Sequence, residues 1–217
     1  RLPFAYVEDK PANRNYPYAW MHGISDISTP TKRDNWDADF TIKQGAIWPY
    51  TGNSPGIYKC PADKTMARIP SGPNAGQQVP WVRSLSMNAW MGMNEGAHTW
   101  FGGREFRAYL KTSDIVDPGP SETWVLIDEH PRSINDGFFV INMIGYPNTA
   151  VTQMPDFPAS YHNGAGGLTF ADGHSEIRKW KDPRTVVPAN ARSLPSSAMP
   201  NNKDVIWFWE RTTRKVL

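Results

Sequence analysis

Apolar residues along this chain come in short bursts separated by polar stretches rich in proline and glycine. The strand-like bursts are strongest in the second half. Residues 123–129 (TWVLIDE) are apolar and β-branched enough to predict a buried strand. Residues 137–144 (GFFVINMI) predict a second, and the intervening HPRSIND ends in an Asp136-Gly137 turn signal. The clearest hairpin is GGLTFA-DG-HSEIRKW. Read as a two-residue type I′ turn at Asp172-Gly173, it pairs Ala171 with His174, Phe170 with Ser175 and Leu168 with Ile177. Side chains alternate along strands, so Leu168, Phe170 and Ile177 would share a buried face, with Thr169, His174, Glu176 and Arg178 opposite.

The first half is less periodic. Residues 1–36 read as an irregular segment anchored by aromatics, and 37–50 (DADFTIKQGAIWPY) as a short helix capped by Asp37. Gly52, Asn53, Pro55 and Gly56 mark a turn; 57–69 reads as an extended piece running into a Pro-Ala-Asp turn, and 70–80 as a loop. Residues 81–93 partly alternate and predict a strand; 94–103 is a glycine-rich loop, and 104–116 a short helix or strand. Residues 181–203 form another loop, and 204–214 (DVIWFWERTTR) a terminal helix or edge strand. The expected fold is one α+β domain over 1–217, with short helices, long loops and an antiparallel sheet core at 123–180.

Composition sharpens this. Twenty prolines among 217 residues exclude long helices. Ten tryptophans exclude a disordered chain. They suit core and loop packing, or a sugar-binding or assembly surface. A net charge of +2 gives no basic stripe for nucleic acid. No apolar run reaches the 18 or so residues of a membrane span. The single Cys60 excludes an intrachain disulfide; it reads as a small buried or loop thiol, because CPAD lacks the local signatures of a nucleophile paired with a distant His.

Acidic and imidazole groups cluster in three places: Asp128-Glu129-His130 at a strand end, Asn135-Asp136 before the next strand, and His162, Asp172 and His174 around the hairpin. If those strands are neighbours, the groups could meet at one sheet edge. Carboxylates and carbonyls suit Ca²⁺, whereas imidazoles with a carboxylate suit Zn²⁺ or another transition metal. The plainer reading gives Asp136 and Asp172 to their turns and His162 to a structural hydrogen bond with a loop carbonyl or Asp172. G-x-S-x-G, H-E-x-x-H, P-loop and G-x-G-x-x-G motifs are all missing.

His162, nine residues, then Asp172-Gly173 is an H-x9-DG pattern, standing as YHNGAGGLTFADGHSEIRKW. It resembles the C-terminal signature of pseudopilins, the prepilin-like proteins with an H-X9-DG domain. GAIWPYTGNSPGIYKCPADKT, RSLSMNAWMG, IDEHPRSINDGFF and DVIWFWERTT resemble further blocks of that family, in order from about residue 45 onward. The resemblance implies a type IV pilin-like head, whose long N-terminal anchor helix is absent from this sequence. It implies processing by a prepilin peptidase and a precursor anchored in the inner membrane, with the head periplasmic or at the cell surface. The implied role is a structural subunit of a type II secretion-like or type IV pilus-like filament, not an enzyme. Its partners would be copies of itself, other pseudopilins, and secreted cargo or surface glycans. Ca²⁺ binding is an expectation from related pseudopilins, with no ligand loop matched here. The motif residues His162, Asp172 and Gly173 carry over as a structural motif.

Two other functions compete. The tryptophans, with tyrosine and asparagine, fit an extracellular carbohydrate-binding module. Asp128, His130, His162, Asp172 and His174 would be the groups of a metal-dependent hydrolase.

Overall fold

The computed structural model describes residues 2–5, 18–92 and 101–216. Residues 1 and 6–17 of the N-terminal segment, and the 94–100 part of the expected glycine-rich loop, lie outside them. Among the described residues, seven strands form two sheets. β1 (Met66–Arg68) and β2 (Gln78–Pro80) make a two-stranded antiparallel ribbon, with β2 arising where composition alone indicates loop. β3 (Leu85–Asn88), β4 (Trp124–Asp128), β5 (Phe138–Phe139), β6 (Ala165–Phe170) and β7 (Ser175–Lys179) form a second sheet, ordered β5-β3-β4-β6-β7. The chain is thus α+β, but the sheet is mixed, because β5 runs parallel to β3.

Arg83 explains that crossing. Its buried guanidinium donates to the carbonyls of Leu85, Asn135 and Asp136. The loop after β4 is thereby drawn past β3 to the sheet's far edge. The apolar run after Gly137 is buried from Phe138 through Met143, but only two residues join the ladder. Beyond them the backbone bonds elsewhere: the Val140 amide to Asp156, the Asn142 carbonyl to Trp209 Nε1, and the Met143 amide to Phe101.

The helix expected at 37–50 is two 3₁₀ turns, Ile42–Gln44 and Trp48–Tyr50. The Ala46 amide bonds to Ala19 outside the segment, and Pro49 has no amide to continue a helix. α1 (Arg33–Trp36) is a single turn. α2 (Lys203–Thr212) is the one long helix among the described residues. Asn202 caps it, its Oδ1 accepting from the Asp204 and Val205 amides, and Val205, Phe208, Trp209 and Thr212 form its buried stripe.

α2 covers the sheet face that carries Trp124, Ile127, Leu168 and Phe170. Phe208 contacts Trp124, Phe139 and Trp180, and Trp124 Nε1 donates to Thr212 Oγ1 at 2.9 Å. Trp20, Trp90, Trp124, Trp180 and Trp209 are buried in this core. Half-buried Trp207 is stacked by Arg178 and Arg211.

The hairpin register differs from the expected one by a residue. Thr169 pairs with Ser175, Leu168 with Glu176 and Gly167 with Ile177. The turn holds three residues, closed by Phe170–Gly173 and Phe170–His174 backbone bonds, and Gly173 alone takes a positive φ of 95°. Asp172 does not adopt the left-handed geometry that a type I′ turn requires. Ile177 consequently faces away from Leu168 and Phe170, and is 62 % exposed. It joins Leu85, Leu126, Asp128, Gly167 and Thr169 along a groove of about 240 Å³ on the side away from α2.

Candidate functional site

Beside that groove, three side chains from distant segments converge: Cys60, Asp128 and His162. Cys60 follows the 3₁₀ turn Pro55–Tyr58. Its amide donates to Ser84 Oγ at 2.8 Å, and its carbonyl accepts from the Asp63 amide. These bonds fasten the Cys-Pro-Ala-Asp turn to the start of β3. Asp128 ends β4, and its Oδ2 accepts from the Gly167 amide of β6 at 3.0 Å. His162 opens the turn before β6, where Asn163 and Gly164 both take positive φ and the His162 amide reaches the Ala165 carbonyl.

His162 Nε2 lies 3.4 Å from Cys60 Sγ and 3.8 Å from Asp128 Oδ2. All three donor atoms lie within 4.8 Å of one another. The Asp128 side chain is 5 % exposed and that of His162 34 %, so the cluster opens to solvent on the histidine side. Its surroundings are electronegative. Burial pushes the Cys60 thiol up, opposed by the Ala62 and Asp63 amides and reinforced by the Asp128 and Asp63 carboxylates. Burial raises Asp128, opposed by the Gly167 amide and His162. Tyr161 is held far above its ordinary value by burial, then by Asp63, Asp128 and Cys60. The nearby Lys59 ammonium is committed to Asp63 at 2.8 Å.

This wiring is not that of a thiol nucleophile. In a nucleophilic triad the base presents one ring nitrogen to the nucleophile and the other to the orienting carboxylate. Here sulfur and carboxylate face the same nitrogen, and the thiol is held protonated. Sulfur, imidazole nitrogen and carboxylate oxygen converging on one point are suited to a transition metal instead.

The other expected residues lie elsewhere. Asp172 and His174 are at the hairpin tip, where Asp172 Oδ1 contacts His174 Nδ1 at 2.6 Å and accepts from its amide. β6 separates His162 from Asp172, so the proposed bond between them does not form. At about 3.3 Å per residue, a six-residue strand holds the two ends of the motif roughly 20 Å apart. His130 is buried with both ring nitrogens engaged, Nε2 by the Pro188 carbonyl and Nδ1 by the Arg132 amide. Glu129 is fully buried beside Arg83 and Asp156. Asp136 accepts from the Phe138 amide at the start of β5. The oxygen donors named for Ca²⁺ are therefore dispersed, and the five groups named for a hydrolase do not meet. Sequence reading places Cys60 as a plain thiol and does not find its partner, because His162 is 102 positions away. No family model matches the chain, nor does any curated protein or solved structure compared with it.

Proposed function

We propose that this chain is the head of a pilin-like subunit that acts by assembly and partner contact, with no turnover chemistry. The observation that carries this reading is the packing of the pseudopilin-like blocks on one another. The CPAD turn bonds to the RSLSMN strand through Cys60 and Ser84. The RSLSMN strand pairs with β4 of the IDEH block, Leu85 opposite Asp128, and Arg83 grips that block's Asn135 and Asp136 carbonyls. β4 pairs with β6 of the H-x9-DG block, and Trp124 of β4 bonds to Thr212 in the DVIWFWERTT block. Segments that resemble one family in order along the chain thus pack on one another, which supports reading them as parts of one fold. Under this reading the head works outside the inner membrane, beside copies of itself and other pseudopilins.

The test is the coding sequence upstream of Arg1, followed by cell fractionation. A short basic leader, a glycine cleavage site and about 20 apolar residues are expected, with the protein in sheared surface filaments. A conventional secretory signal and a freely released protein would overturn the proposal. Most of the described tryptophans are buried, but Trp36, Trp48 and Trp207 are only partly so, and glycan-array binding separates the carbohydrate reading from this one.

A further inference from the structure

We propose that Cys60, Asp128 and His162 form a transition-metal site, and that Zn²⁺ is the ion it takes. The inference stands on geometry and does not depend on the filament reading.

Bond lengths of about 2.3 Å for sulfur and 2.0–2.2 Å for nitrogen and oxygen set the spacing of tetrahedral ligands. At the tetrahedral angle they place sulfur about 3.6 Å from nitrogen, and nitrogen about 3.4 Å from oxygen. The observed separations are 3.4 Å for Cys60 Sγ to His162 Nε2 and 3.8 Å for His162 Nε2 to Asp128 Oδ2. The third separation, Cys60 Sγ to Asp128, is within 4.8 Å, so seating an ion among the three takes side-chain adjustments of about an ångström or less. The same separations also suit hydrogen bonds, with the thiol donating to Nε2 or the Nε2 proton going to the carboxylate, and metal titration separates the two arrangements.

Donor chemistry selects the metal. Ca²⁺ and Mg²⁺ take oxygen shells and have no use for a thiolate or an imidazole. A thiolate, an imidazole and a carboxylate suit Zn²⁺. Three protein donors leave a fourth position for water, as in open zinc sites. The ligands are also held from behind, as metal ligands usually are: Ser84 Oγ on the Cys60 amide, the Gly167 amide on Asp128 Oδ2, and the tight turn that presents His162. Zinc binding at this point would clip the turn after Tyr58 to the ends of the paired strands β4 and β6.

The experiment uses the 217-residue protein, stripped with a chelator and checked by circular dichroism. It is titrated with Zn²⁺ by calorimetry and with Co²⁺ by absorption. The expected result is a single Zn²⁺ per chain and a Co²⁺ complex with thiolate charge-transfer absorption that Zn²⁺ abolishes. Cys60→Ser should remove that absorption, and Cys60→Ser, Asp128→Asn and His162→Gln should each weaken Zn²⁺ binding by at least about tenfold. If Cys60→Ser fails to fold, His162→Gln carries the test, since its side chain is a third exposed. The proposal is overturned if the folded protein gives neither Zn²⁺ heat nor the Co²⁺ band. It is equally overturned if His162→Gln binds as wild type does, or if Ca²⁺ binds in place of Zn²⁺.

Discussion

The Gly167 amide donates to Asp128 Oδ2 across the β4–β6 ladder, and the hydrogen that stands in place of a side chain on Gly167 is what lets the carboxylate lie there. A Cβ at residue 167 would stand 2.9 Å from that same oxygen, which is too close for a buried carboxylate held from both sides. The central strand pair and the Cys60–Asp128–His162 cluster therefore share one contact.

Gly167→Ala should displace Asp128 and destabilise the protein by roughly 1–3 kcal/mol, the usual range for overpacking. Urea denaturation measures it. The same substitution should lower Zn²⁺ affinity in calorimetry, because Asp128 no longer points at the cluster. Wild-type stability would show that the carboxylate can move at no cost.

Stability should fall as pH rises from 5 to 9. Burial pushes Asp136 up to about 7 and Asp156 to about 8, each far above the unfolded value. A carboxyl raised in the folded state keeps its proton where the unfolded chain has released it. Its contribution is complete below about pH 4 and is lost through the folded values near 7 and 8. The neighbouring Arg83 guanidinium, pulled down by burial to about 10, stays charged across this range and offsets part of the loss. Denaturation midpoints at pH 5, 7 and 9 should decline in that order. Asp156→Asn should flatten the profile, and a rise in stability toward pH 9 would contradict the account.

The cap of α2 should be costly to remove. Asn202 is fully buried, accepts from two amides through Oδ1, and donates through Nδ2 to Thr185 Oγ1. Asn202→Ala is expected to cost about 1–2 kcal/mol, from lost capping and from the Thr185 hydroxyl left without its donor. Thermal denaturation followed at 222 nm gives the shift, and Asn202→Asp, which keeps the cap acceptor, should recover part of it.

At the hairpin tip the order of effects should be Gly173→Val above Asp172→Ala. A valine at φ 95° is forced into a region that β-branched residues avoid, costing roughly 1–2 kcal/mol. Asp172 is exposed at the tip, and its loss removes bonds to His174 alone. Melting temperatures of the two variants decide it, and equal shifts would mean that the turn does not need its left-handed residue.

Local chemistry made several elements legible. The apolar, β-branched run TWVLIDE is β4, and the Asp-Gly pair does mark the tip of the β6–β7 hairpin. The loop-rich α+β character followed from the prolines. The register did not follow, because a two-residue and a three-residue turn both accept Asp-Gly, and the choice moves Ile177 from one face to the other. The helix expected at 37–50 gave way to 3₁₀ turns because Ala46 finds its partner in Ala19, a tertiary contact.

The sequence by itself determined the β4 strand, the Asp-Gly tip of the β6–β7 hairpin, and that His162 and Asp172 bracket a strand. The tertiary structure alone decided what His162 faces. A strand carries its two ends apart, so the two named residues of the H-x9-DG motif cannot meet, and His162 is left to meet Cys60 and Asp128. That meeting depends on the sheet order β3-β4-β6 and on the Ser84 hydroxyl that docks the Cys60 turn. Such contacts join residues too far apart in the chain for spacing or periodicity to register them.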